Sequence, residues 1–117
     1  MPLNIDVHEP KPGTARVALT GSLDTDTAPQ LDKALSALNA NVIAFDMTNL
    51  AFISSAGLRV IFAAAKRQRA KGGQIGMSSL RPGVRKVFEI VRALPDMNVF
   101  ASEKEMDEYL ASFQRPE

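Results

Sequence analysis

Apolar positions along the chain keep two different periods, and the changes of period mark its elements. Leu3, Ile5 and Val7 alternate with polar neighbours, the two-residue rhythm of a half-buried strand. "EPKPGT" (Glu9 to Thr14) interrupts it with prolines and a glycine, and "ARVALTG" resumes it with Val17 and Leu19 on one face. The two stretches are predicted to pair as a hairpin. "DTDTAPQ" (Asp24 to Gln30) opens a helix: Asp and Thr are good N-caps, and Pro29 fits a first turn. Ala28, Leu31, Leu35 and Leu38 then recur at helical spacing. "VIAF" (Val42 to Phe45) is a continuous apolar run, as expected of a strand covered on both faces, closed by turn-forming residues from Asp46 to Asn49.

A second helix is expected from Ser54 or Ser55, with Leu58, Ile61, Phe62 and Ala65 as its stripe and Gly72-Gly73 as its stop. "QIGMSS" follows as a strand. A third helix opens at Pro82 and turns Val84, Val87, Phe88 and Val91 inward. "MNVF" (Met97 to Phe100) reads as a last strand, and a final helix carries Met106, Tyr109, Leu110 and Phe113 on one side. Residues 113–117 read as a frayed tail. Strands and helices thus alternate after an initial hairpin, which predicts one α/β domain over residues 1–117. Its mixed sheet should have about four to five strands, covered by about four helices.

Composition mostly excludes. The chain has 117 residues, 45% hydrophobic and 23% charged, with a net charge of +1, so no global field points to nucleic acid or a membrane. It has no cysteine and a single histidine, His8, which removes disulfides, thiolate metal sites, His-rich zinc sites and most Ser–His catalysis. No metal ligand set, cofactor motif or catalytic residue is expected. No signal peptide is read at the N-terminus, and no apolar run approaches the ~20 residues of a membrane span, so the expected location is the cytoplasm.

The stretch that carries chemistry is "FISSAGLRV" (Phe52 to Val60), where two serines stand between a strand and a helix. A nucleophile elbow needs Gly-x-Ser-x-Gly, and no glycine precedes Ser54-Ser55-Ala56-Gly57, nor is a base at hand. A phosphate-binding loop needs a glycine-rich run ending in Lys-Ser/Thr, which is absent. Two accounts stay open on spacing: helix capping, the simpler one, and phosphorylation. A phosphoserine in a first turn adds about two negative charges where the helix dipole tolerates them, so it can change the surface while leaving the fold intact. That switch requires a hydroxyl within reach at a helix start.

Three blocks, "TGSLDTDTAPQL", "FDMTNLAFISSAGLRVIFAAAK" and "GMSSLRPGVRKVFEIVRAL", together resemble the STAS-domain anti-sigma-factor antagonists of bacteria over nearly the whole chain. The resemblance implies a non-enzymatic binding module. Unphosphorylated, it would bind a partner that is both anti-sigma factor and serine kinase, freeing a sigma factor; a phosphatase would reset it. Aligned on Gly57-Leu58, the family's acceptor falls on Ser55, with Ser54 as the fallback, and the aspartate of the preceding loop falls on Asp24. The partner surface implied is Asp24, Thr25, Ser54, Ala56 and Gly57. This chain departs from the well-known members in having Ser54 where they carry Asp and Ala56 where they carry Ser or Thr. Two alternatives stand beside this reading: a STAS adaptor subunit of another signalling or transport assembly, and a small nucleotide-binding domain.

Other groups receive plainer readings. "KRQRAK" (Lys66 to Lys71) is a basic helix end matched to the dipole. Arg81, Arg85, Lys86 and Arg92 add positive charge without interleaved aromatics, so direct nucleic-acid binding is not expected. Met47 and Phe52 are core residues or, if exposed, apolar anchors for a partner. Oligomeric state is left open.

Overall fold

The computed structural model describes residues 2–93 and 102–114. β1 (Leu3–Lys11) and β2 (Thr14–Leu23) form the expected hairpin, paired antiparallel from Leu3 opposite Gly21 to Lys11 opposite Thr14. α1 (Ala28–Ser36) then returns the chain to β3 (Val42–Ile53), which lies parallel to β2. α2 (Ser55–Ala70) crosses over to β4 (Gln74–Ser78), parallel to β3. α3 (Pro82–Ala93) and α4 (Glu103–Ala111) complete the described chain. The sheet order is β1-β2-β3-β4, a mixed sheet in which sequential strands are neighbours. The predicted strand at Met97–Phe100 lies outside the described residues.

The two-residue period sorts the sheet into faces. Ala15, Val17 and Leu19 of β2 and Ile43, Phe45 and Met47 of β3 point to one side and are at most 3% exposed. Leu31 and Leu35 of α1, Leu58, Ile61 and Ala64 of α2, and Val84, Val87, Phe88 and Val91 of α3 pack in the same cluster. At roughly 1.5–3 kcal/mol for each fully buried large side chain, this layer is the main source of stability. On the other face Arg16, Thr20 and Thr48 stand exposed.

Three expectations are corrected. β3 does not close at Asp46; it runs on to Ile53. The polar residues at 46–49 are the mark of a bulge rather than a turn. Ala18 opposes Asp46 but Thr20 opposes Asn49, and a second irregularity separates Gly21 and Ser22. Each extra residue puts the alternation out of phase while Met47, Leu50 and Ile53 stay buried. In α4, Met106 and Leu110 are buried, but Tyr109 is 45% exposed and stacks edge-on against Phe113 at 5.2 Å. Lastly, residues 113 and 114 are not frayed: Phe113 makes that ring contact, and the Gln114 side chain is hydrogen-bonded to β3.

Candidate functional site

β4 pairs with β3 only as far as Asp46, so the second half of β3 runs past its neighbour on that side. At its end the chain turns directly into α2. Ser54 is the N-cap, in extended conformation, and its Oγ accepts from Gly57 N at 3.3 Å. Its own N–H donates to Leu23 O at 2.9 Å, which ties the end of β2 to the start of α2. The close approach has a second cause in Gly57. A Cβ there would lie 2.6 Å from Leu23 Cγ and 2.9 Å from Leu23 O, so any side chain would push the two elements apart.

Ser55, one residue on, has no such duty. It is fully buried, and its Oγ has no hydrogen-bond partner among the described residues. Capping therefore explains Ser54 and leaves Ser55 unexplained. The Ser55 N–H donates to Asp107 Oδ1 of α4 at 2.8 Å, a carboxylate placed on the positive end of α2. Beside it, Ile53 N donates to Gln114 Oε1 at 2.7 Å and Gln114 Nε2 donates to Ile53 O at 2.9 Å. One side-chain amide thus does at Ile53 what a further strand would do.

The expectation of a presented hydroxyl is therefore overturned: Ser54 is 4% exposed and Ser55 0%. The local part of the prediction is right, since both sit where a helix begins. The contacts across the turn are tertiary: Asp107 of α4 takes the Ser55 N–H and Gln114 bonds both backbone groups of Ile53. Asp107 and Gln114 were not singled out from the sequence. Their only local signal is position next to buried Met106 and four residues beyond buried Leu110.

The residues read as a partner surface divide. Thr25 is exposed, and Asp24 and Ala56 are half-buried. Ser54 and Gly57 are buried and serve internal contacts instead. Asp24 is also not a helix cap. Its Oδ1 accepts from Asp26 N and Thr27 N at 3.0 Å each, which holds the loop before α1. Thr27 is the N-cap but makes no side-chain cap bond; its hydroxyl donates to Ser22 O at 2.8 Å and accepts from Asp24 N at 2.9 Å. The loop reaches the serine turn through Leu23. Met47 is fully buried and Phe52 half-buried, so Met47 is core and no exposed anchor.

Elsewhere, Lys66, Arg67, Arg69 and Lys71 project to solvent from the end of α2, as the dipole-matched reading expects. On the open sheet face Arg16 and Asp46 pair at 3.1 Å. Hydrogen bonds from the Thr48 hydroxyl and N–H, then Arg16, lower the Asp46 pKa from 3.8 to about 2. No helix among the described residues is long and apolar enough to cross a membrane.

A mixed sheet covered on one face, with a serine-capped helix springing from a central strand, defines a small α/β domain. The chain belongs to the STAS domain family, whose profile matches residues 7–106. It is 37% identical over 78 residues to a Bordetella bronchiseptica protein provisionally named the anti-sigma factor antagonist BtrV; the match covers 67% of this chain and 63% of that protein. It is 28% identical over 107 residues to the anti-sigma F factor antagonist of Paenibacillus polymyxa, covering 88% and 91%. Among solved structures it is similar to the Bacillus cell fate determinant SpoIIAA in its phosphorylated form, with a TM-score of 0.66, 21% identity, and coverage of 75% and 83%.

Proposed function

We propose that this chain is an anti-sigma factor antagonist whose binding of a serine-kinase anti-sigma factor is switched off by phosphorylation of Ser55. The relatives bearing that name support the role. The observation that carries the site is the division of labour in the turn: Ser54 caps the helix, while the Ser55 hydroxyl has no partner among the described residues. In the reaction the Ser55 Oγ–phosphorus bond forms as the bond from the γ-phosphorus to the ADP oxygen breaks, and the hydroxyl proton passes to a base of the kinase. The chain is substrate of the kinase and of a phosphatase, not an enzyme. Because the hydroxyl is enclosed, transfer takes place on a form in which the turn is uncovered. The added charge falls on the first turn of α2, near the loop of Asp24 and Thr25, and opposes docking there by charge and bulk.

Incubation with ATP and the cognate kinase tests this. The expected result is a phosphate mass shift on the tryptic peptide containing Ser55, abolished by Ser55→Ala and kept by Ser54→Ala. In a calorimetric titration with the kinase, Ser55→Asp should bind more weakly than the natural chain and Ser55→Ala about equally. The reverse order of affinities, or phosphate on Ser54 alone, overturns the assignment.

A further inference from the structure

We propose that α4 and Gln114 form an autoinhibitory latch, held by Asp107 on the Ser55 N–H and by Gln114 on both backbone groups of Ile53, which must release before the Ser55 side chain is reachable. The proposal rests on the Ser55 reading and adds a regulatory element to it.

Four observations converge on one small region. The carboxylate of Asp107 takes the Ser55 N–H at 2.8 Å, occupying a helix start where an anion is favoured. Gln114, just beyond α4, grips Ile53 with two hydrogen bonds and the end of α4 through Leu110 O at 3.2 Å. Ser55 is completely enclosed. Gly83, in the first turn of α3, leaves room for the end of the latch: a Cβ there would lie 2.7 Å from Phe113 O and 3.0 Å from Gln114 Cα.

The element is also suited to opening as a unit. α4 has nine residues, fewer than the roughly 12–15 at which an isolated helix becomes even marginal, so it persists through its docking. Undocked, it loses its reason to stay helical, which makes release cooperative. A phosphate on Ser55 and the Asp107 carboxylate would be like charges at one helix start. The modified turn and the closed latch therefore exclude each other.

The chain has no cysteine, so Ser55→Cys places a single thiol at the site. Its rate of reaction with 5,5′-dithiobis(2-nitrobenzoate) under native conditions reports how often the turn is uncovered, and needs no kinase. The rate should be slow with Ser55→Cys alone. It should rise at least tenfold when Asp107→Ala or Gly83→Ala is added, each double variant still melting cooperatively. Asp107→Ala also changes the charge beside the thiol, so Gly83→Ala, which retains that carboxylate, carries the decision; if it fails to fold, Gln114→Leu replaces it. A rise under threefold in the folded double variants overturns the latch, as does a rate for Ser55→Cys alone equal to that of the unfolded chain. The two proposals fail separately: no phosphate on Ser55 in any variant removes the acceptor assignment, while the thiol rates still decide the latch.

Discussion

Ser54 and Ser55 are neighbours of the same chemistry, both buried, yet they carry opposite thermodynamic loads. The Ser54 hydroxyl satisfies the Gly57 N–H, and removing an N-cap oxygen typically costs about 1 kcal/mol. The Ser55 hydroxyl is enclosed without a partner among the described residues, a situation that costs about 1–3 kcal/mol relative to a satisfied group. Ser54→Ala should therefore lower the urea midpoint, whereas Ser55→Ala should leave it unchanged or raise it, with the dependence on urea the same in both. Destabilisation by Ser55→Ala of the same size as by Ser54→Ala would show that the Ser55 hydroxyl is structural. A stability cost kept at one serine and avoided at the other is what a site retained for modification would show.

At the scale of elements, the junction of β2, β3 and α2 depends on how closely they approach. Ser54 N reaches Leu23 O only because Gly57 has no side chain to meet Leu23. Gly57→Ala improves helix propensity, so an exposed glycine of the same helix would gain from the change. Here overpacking against a backbone carbonyl should dominate, and a net loss of about 1–3 kcal/mol is expected by chemical denaturation. Unchanged stability would mean that α2 can slide away from β2, and with it that the loop of Asp24 is not held to the serine turn. The strand, turn and helix here were legible from Phe52 to Val60. The bulges of β3 were not, because an inserted residue in a strand and a turn between strands both present short polar runs.

For the whole molecule, the sheet leaves one face to solvent, and that face holds a group with a displaced titration, Asp46. The folded-state pKa of Asp46, about 2, lies below its ordinary 3.8. Its contribution to stability is thus present above about pH 3.8 and is lost as pH falls towards 2. Asp46→Asn should be less stable than the natural chain at pH 6, and the difference should shrink as pH falls through about 2 and vanish below it. The gap should be small and shrink with salt, because half of the Arg16 side chain is open to water. A difference that stays undiminished below about pH 2 would assign the effect to altered hydrogen bonding in β3 instead of to the charge.

The local pattern alone determined the order of the described elements, the hairpin, the inward faces of α1, α2 and α3 and the position of the serine turn at a helix start. Each depends on residues within one or two turns of one another, or on alternation along one strand. Tertiary structure decided what happens at that turn. Asp107 lies 52 positions from Ser55, and Gln114 61 from Ile53. One acid among several on α4 and a Gln just beyond its end carry no local mark of the backbone they will bond. Only the packing of α4 through Met106 and Leu110 brings them there.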